Sequence, residues 1–432
     1  MADAVSPLFA DFEAWCASVE HSNLGMLAIG VVVSVGNLLV YRALGKYLRA
    51  AWGRRGNLAW RLAFLPYWVL LSPMLVLAAG GMHAARAQHE MLPGPVAVTC
   101  MAFQFAVWVY GGCLLIAWIS RRAHASAGTV TRRITKIEPP ARGLGNPARR
   151  GFLRSSAIGM PAVIITGAAV GGVSSQLPPV VKNLRQPVRG DFAALRGLRL
   201  VQFSDVHIGS YLERDRLREI TEAVNWLRPD IVVCTGDLID NQLEQLEHAT
   251  PMLRALKPRV GTFMCMGNHE YIAAAGDEAA VRNGLREGGA TLLIDEARKV
   301  EVGRSHLWLG GTDFPGPPAL GKRPLTRESM DKVEADMRDD GAPRIVLAHH
   351  PKTFFEARER QIDLMLSGHT HGGQISLGRI GEHELTPNLP FEHYHRGLYE
   401  HEGRRLYVNS GIGSWLPIRI NCPPEITLIE LV

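Results

Sequence analysis

The chain has no Cys-x-x-Cys spacing, no internal repeat and no low-complexity tract. Its six cysteines therefore give no sign of a disulfide framework. Cys234 and Cys265 close apolar runs just before acidic or amide residues, which predicts buried free thiols. Cys16, Cys100 and Cys113 lie in or near strongly apolar sequence, and Cys422 in the mixed-composition part. Interleaved basic and aromatic residues of the kind that mark a nucleic-acid surface are also missing. The net charge of +6 does not replace them, because many of the basic residues flank apolar runs. What is present is 432 residues, enough for two or more structural units and at least one sizeable core. The composition divides near residue 175: long apolar runs and Arg before it, the mixture of a soluble α/β domain after it.

Residues 1–175 read as a membrane region with about four transmembrane helices. The runs 24–41, 62–82 and 96–119 are each near the roughly 20 residues a helix needs to cross hydrocarbon. Pro66 and Pro73 are tolerable there when neighbouring helices satisfy the freed backbone groups. Trp52, Trp60 and Trp118 fall at or beyond run ends, where interfacial aromatics anchor a span. Lys and Arg set the orientation, since positive loops stay cytoplasmic. The N-terminal tail has Asp3, Asp11, Glu13 and Glu20 and no basic residue; the first loop has Arg42, Lys46, Arg49, Arg54, Arg55 and Arg61 and no acid. The second loop has Arg86 as its basic residue, and the third, 121–154, has nine basic residues against Glu138. Tail out, first loop in, second out and third in is the order this predicts.

The fourth run, 157–173, follows Arg149-Arg150-Gly151-Phe152-Leu153-Arg154. That stretch resembles the twin-arginine export signal; a positive flank on an ordinary span is the other reading. Both place everything after residue 175 outside the cytoplasm, on the periplasmic side of a bacterial inner membrane.

Residues 176–197, with Pro178, Pro179 and Pro187, read as a linker, and 198–432 as one soluble domain. Short apolar runs at 198–203, 231–234 and 260–266 alternate with helical patterns at 214–227 and 242–256. Further strand-like runs follow at 307–309, 344–348, 364–366, 405–408 and 426–431. Strands alternating with helices, with polar residues just past the strand ends, indicate an α/β sheet with its site at the carboxyl edge.

The polar residues at those ends are Asp205 and His207, Asp237 and Asp240, Asn268 and His269, His349, and His369 and His371. Carboxylate, neutral imidazole and amide oxygen together suit Mn, Fe or Zn. Asp205 and His207 can chelate one ion, Asp237 has two oxygens with which to bridge two, and Asn268 adds a ligand without adding charge. His349, His369 and His371 complete two sets. Two ions about 3.5–4 Å apart clamp the attacking and leaving oxygens of a phosphoryl displacement and supply hydroxide near neutral pH.

The series Asp205-x-His207, Gly236-Asp237-x-x-Asp240, Gly267-Asn268-His269-Glu270, His349 and Gly368-His369-x-His371 resembles the calcineurin-like metallophosphoesterase superfamily over about residues 198–432. Thr370-His371-Gly372-Gly373-Gln374, Gly397-Leu398-Tyr399, Asn409-Ser410-Gly411-Ile412-Gly413 and Pro424-Glu425-Ile426 are similar to its membrane-anchored or exported bacterial branch. The resemblance implies a four-layer α/β/β/α sandwich. It places Asp205, His207, Asp237 and His371 on one metal and Asp237, Asn268, His349 and His369 on the other. It makes His269 the general acid and Asp240 the partner that orients it. The Arg that holds substrate phosphate in the superfamily's protein phosphatases is replaced by Asn241, which disfavours that activity. Arg214, Lys322, Arg323 and Arg396 are the candidate substitutes, with a solvated surface role as the alternative for each. His350 reads as a neighbour of the ligand His349, and His383, His393 and His395 as lining the mouth or exposed.

The expectation is a dinuclear metal-dependent phosphoesterase or phosphodiesterase that cleaves phosphate or pyrophosphate esters with metal-bound hydroxide. A site tethered to a bilayer favours phospholipid or lipid-linked substrates, and no nucleic acid is expected as partner. The alternatives are a cytoplasmic-side hydrolase of a nucleotide-linked diacylglucosamine pyrophosphate in lipid A synthesis, which the predicted topology opposes, and a non-enzymatic membrane sensor or assembly factor that keeps the fold, which intact ligands oppose. An exported nuclease lacks the surface pattern it would need.

Overall fold

A computed structural model describes Arg42 and residues 173–432, the latter apart from 189, 210–211, 213, 316–325, 382, 387, 390–391 and 415–418. The predicted spans 24–41, 62–82, 96–119 and 157–173 lie outside the described residues, save Val173. Among the described residues no helix is long and apolar enough to cross a membrane.

The first sheet runs in the order β1 (Val180–Gln186), β14 (Glu425–Leu431), β2 (Arg199–Phe203), β3 (Ile231–Cys234), β4 (Gly261–Met264) and β5 (Ala290–Leu292). From β2 to β5 the strands are parallel, so their carboxyl ends share one edge. The second sheet runs β12 (Gly397–His401), β13 (Arg404–Val408), β9 (Leu364–Ser367), β8 (Arg344–Leu347), β7 (Ser305–Gly311) and β6 (Glu296–Val302), with β13, β9, β8 and β7 parallel. A separate two-stranded ribbon pairs β10 (Arg379–Ile380) with β11 (His383–Glu384).

Side chains alternate across a strand, and the alternation builds three cores. Leu200, Ile231, Val233 and Phe263 of the first sheet meet Leu307, Leu309, Ile345, Leu347, Leu364 and Leu366 of the second. The intervening Val201, Phe203, Val232, Cys234 and Met264 face outward onto helices: α1 (Arg214–Trp226) through Leu217, Ile220 and Val224, α2 (Leu246–Arg254) through Ala249, Met252 and Leu253, and α4 (Glu278–Glu287) through Val281 and Leu285. α3 (Asn268–Ala274) packs there too. On the far side Val346 and Met365 pack on α5 (Thr326–Asp336) and α6 (Phe354–Ala357) through Met330, Val333, Phe354 and Ala357. Helices thus cover the outer face of each of two sheets packed face to face. Strands buried on both faces lose their polar alternation, which is why 231–234 and 364–366 read as unbroken apolar runs. Each such fully buried Leu, Ile or Val contributes about 1.5–3 kcal/mol.

Residues 180–186, expected within a linker, instead form β1, paired in parallel with β14 from Val180↔Glu425 to Gln186↔Leu431. The prolines that suggested a loop stand outside the strand, at 178, 179 and 187, and leave its N–H groups intact. Only Leu184 and Gln186 of its seven residues are buried, so it carries no apolar run to reveal it. Cys234, Cys265 and Cys422 are free and buried, as the first two were expected to be.

Candidate metal centre

Asp205 follows β2, Asp237 follows β3, Asn268 opens α3 after β4, His349 follows β8 and His369 follows β9. The parallel order therefore delivers five of the predicted residues to one edge. To turn side chains inward over that edge the chain bends sharply: Asp205, His207, Asp237, His369 and His371 all have positive φ, at 50°, 50°, 53°, 71° and 49°. Left-handed backbone is uncommon for residues with a Cβ and gathers at functional sites. Hydrogen bonds hold it here. Asp205 N–H donates to the Gly236 carbonyl (3.0 Å), His207 N–H to the Asp237 carbonyl (3.1 Å), and His369 N–H to the Asp205 carboxylate (3.0 Å). Gly368 allows the last contact, since a Cβ there would lie 2.0 Å from Ser204 Oγ and 2.2 Å from Asp205 Oδ2.

Two groups of ligand atoms result. In one, His349 Nε2 lies 3.1 Å from Asp237 Oδ2, 3.1 Å from Asn268 Oδ1 and 3.2 Å from His369 Nδ1, with Asn268 Oδ1 3.1 Å from His369 Nδ1. In the other, His371 Nε2 lies 3.0 Å from His207 Nε2 and 3.5 Å from Asp205 Oδ1. Asp237 Oδ2 is 3.8 Å from His207 Nε2, so it stands between the groups.

The donor chemistry fits cations. His349 Nδ1–H donates to the Thr235 carbonyl (2.7 Å) and His207 Nδ1–H to Asp240 Oδ1 (3.0 Å). A carbonyl or carboxylate oxygen can only accept, so in the neutral rings Nε2 presents a lone pair. Nitrogen and oxygen atoms of His349, Asn268 and Asp237 thus converge on one point, where they could hold a cation. Separations of about 3.0–3.4 Å are also the edges of coordination polyhedra with bonds of about 2.1 Å.

A family model, calcineurin-like phosphoesterase, matches residues 198–373. A transmembrane protein with metallophosphoesterase domain from Danio rerio is 34% identical over 308 residues, covering 69% of this chain and 68% of that protein. The metallophosphoesterase YkuE of Bacillus subtilis (strain 168) is 30% identical over 302 residues, 66% of this chain and 97% of its own length. The chain belongs to the calcineurin-like phosphoesterase family. Phosphodiesterase YaeI of Escherichia coli (strain K12) is a further relative, 29% identical over 297 residues, 66% of this chain and 99% of that protein. As a member of that family the chain is a metal-dependent phosphoester hydrolase.

Around the candidate ligand atoms of this phosphoesterase lies a set of braces. His269 Nδ1 is 2.7 Å from the Asp240 carbonyl and 3.1 Å from Asp240 Oδ1. Burial works to lower the pKa of His269, but the charge of Asp237 and the hydrogen bond His269 donates to Asp240 outweigh it and push it up to about 10. Burial likewise works to raise the Asp240 carboxyl, and its hydrogen bonds to His207 and His269 hold it well below the usual carboxylate range. Asp205, fully buried, is raised by desolvation, which outweighs the opposing pull of His349.

The sequence named Glu270 within a motif but assigned it no role. It is fully buried and accepts from the backbone N–H groups of Gly267 (2.7 Å), Asp237 (2.9 Å) and Leu238 (2.7 Å), tying the turn after β4 to the turn after β3. Gln245, which carried no signal, accepts through Oε1 from Asp240 N–H (2.8 Å) and Asn241 N–H (3.0 Å). Phe314 stacks on His350 at 6.4 Å and lies 5.9 Å from His349 and 6.0 Å from His369.

Of the candidate phosphate-holding bases, Arg396 is already engaged with the Asn421 carbonyl (2.7 Å) and Glu384. The Arg214 side chain, Lys322 and Arg323 lie outside what is described. His350, His369 and Glu392 bring ligand atoms within 4.8 Å of one another. His350 Nδ1, however, accepts from Lys352 N–H (3.2 Å), which leaves the proton of the neutral ring on Nε2, towards Glu392 at 3.7 Å. His395 neither lines a mouth nor is exposed: it is buried, with its N–H donating to Tyr399 Oη (3.0 Å).

Proposed function

We propose that this phosphoesterase hydrolyses phosphate or pyrophosphate esters at a two-ion centre, with lipid-linked substrates at a membrane as its natural class. Asp205, His207, Asp237 and His371 would hold one ion and Asp237, Asn268, His349 and His369 the other. Mn, Fe or Zn in those positions supplies Lewis-acid stabilisation of phosphoryl oxygens and acidifies water. The observation that carries the reading is the convergence of His, Asp and Asn nitrogen and oxygen atoms, described above, on two points that share Asp237.

The chain's own residues supply the rest. His269 is the general acid: its Nδ1 is fixed on Asp240, which leaves Nε2 to carry a proton to the leaving oxygen. Its side chain is partly exposed, unlike those of His207 and His371. Asp240 orients the ring. Asn268 adds a ligand oxygen without a negative charge that would repel an anionic ester. Asn241 in place of Arg speaks against a phosphoprotein substrate. The name of the Escherichia coli relative supports a diester.

The four apolar runs of residues 1–175, together with relatives from Danio rerio and Bos taurus named as transmembrane proteins, support a membrane-anchored enzyme. The charge pattern of the loops puts the catalytic domain outside the cytoplasm. Purified full-length protein loaded with Mn is expected to cleave bis(p-nitrophenyl) phosphate and phospholipid head groups in mixed micelles, and reporter fusions at residue 190 and the C terminus are expected to report an extracytoplasmic domain. Inactivity towards every ester with two ions bound would leave only the sensor reading, and a cytoplasmic reporter signal would return the nucleotide-linked pyrophosphate as substrate.

A further inference from the structure

We infer that Arg419 is a positioning residue for one ion position, that of Asp205, His207 and His371, and not for the other; the inference rests on the two-ion reading. Arg419 is fully buried and its guanidinium is committed to backbone. Nη2 donates to the carbonyls of Ser410 (2.9 Å), Gly411 (3.1 Å) and Gly413, Nη1 to that of Cys422 (3.1 Å), and Nε to Ser414 Oγ (3.0 Å). A rigid fork of five donors thus gathers the carbonyls of one turn and pins a second segment to it.

Both touch the same ligand set. From the turn, Gly413 N–H donates to the Asp205 carbonyl (2.7 Å) and Ile412 N–H to that of Ser204 (3.0 Å). A Cβ on Gly411 would come 2.8 Å from Asp205 Cβ and 3.3 Å from His371 Nδ1. From the second segment, Cys422 Sγ–H donates to the His371 carbonyl (3.2 Å). Nη2 itself lies 3.4 Å from His371 Nδ1, the nitrogen opposite the one that faces His207. Of the other set, His349 is braced by the Thr235 carbonyl and the Asn268 turn by Glu270, and only His369 meets the Arg419 side, through its N–H on the Asp205 carboxylate. Arg419 therefore sets where Asp205 and His371 stand relative to His207, from a part of the chain that supplies no ligand.

The test is Mn2+ binding by titration calorimetry on the full chain in detergent, with thermal unfolding of the metal-free protein alongside. Arg419→Lys keeps the charge without the fork, and Arg419→Met removes both. Each is expected to retain one ion at wild-type affinity and to bind the second about 10–100-fold more weakly. Ser414→Ala, which deletes only the acceptor of Nε, guards against a folding failure and is expected to shift the same ion in the same direction by less. In the Arg419→Met background, His371→Ala should weaken further only the ion already weakened, whereas His349→Ala should weaken the ion retained at wild-type affinity. Equal loss of both ions, or two unchanged affinities, overturns the inference. A wild-type protein that binds fewer than two ions defeats the two-ion reading instead.

Discussion

His207 and His269 share one acceptor. Asp240 Oδ1 lies 3.0 Å from Nδ1 of the first and 3.1 Å from Nδ1 of the second, and the two rings meet edge to face at 4.4 Å. The carboxylate expected to orient the acid thus also orients a ligand. Asp240→Asn keeps the shape but replaces the carboxylate with a neutral amide, whose one oxygen accepts more weakly from both rings. One ion is expected to bind about 10–100-fold more weakly, and turnover of esters with poor leaving groups to fall further than that of activated ones. Calorimetry beside a leaving-group series measures both; an effect on metal alone would sever Asp240 from the acid.

His269→Ala separates the acid from the ions. Metal content by atomic emission is expected to stay at two per chain, while alkyl esters slow by about 10²–10⁴ and p-nitrophenyl esters much less. A uniform loss over the leaving-group series would remove His269 from the proton-transfer step.

Asp237→Ala should empty both positions, because Asp237 Oδ2 faces His349 and His207 alike. Loss of a single ion, read by the same metal analysis, would show that it serves one set only.

Glu270→Gln tests a brace that touches no proposed ion. The amide nitrogen must point at a backbone N–H that the carboxylate now accepts from, and each buried donor left unpaired costs about 1–3 kcal/mol. Denaturant unfolding of the metal-free protein is expected to show that loss, with weaker metal binding following from the released Asp237 and Asn268 turns. Unchanged stability would mean that water replaces the contact.

Gly368→Ala places a Cβ on Ser204 Oγ and the Asp205 carboxylate. The Asp205 carboxylate cannot move aside without displacing His369 N–H. Metal-dependent thermal stabilisation, which follows ligand concentration over Kd, is expected to shrink or vanish, and a full Mn-induced shift would show that the edge can relax.

Most ligand-bearing turns were legible because each follows a short apolar run, and a strand buried on both faces can hardly be written in other residues. β2, β3, β4, β8 and β9 appear within a residue or two of the predicted runs. β1 was not legible, since an edge strand with two buried residues in seven looks like its flanking prolines. Neither were the two-residue strands β10 and β11, nor the helix α5, whose buried face is only Ser329, Met330 and Val333.

The sequence by itself determined which atoms are available for chemistry: carboxylates, imidazoles and an amide placed two to six residues past strand ends, and a family that these motifs name. It did so because strand, turn and ligand are neighbours along the chain. The supports come from far along it. Glu270 reaches back to Asp237, one oxygen of Asp240 serves two rings, and Arg419 stands behind His371. The lateral order of strands within each sheet, and the packing of one sheet on the other that brings the turns after β8 and β9 against those after β2, β3 and β4, decided where such partners lie. A buried hydrogen bond depends on where the acceptor lies in space, and no local pattern of residues encodes that.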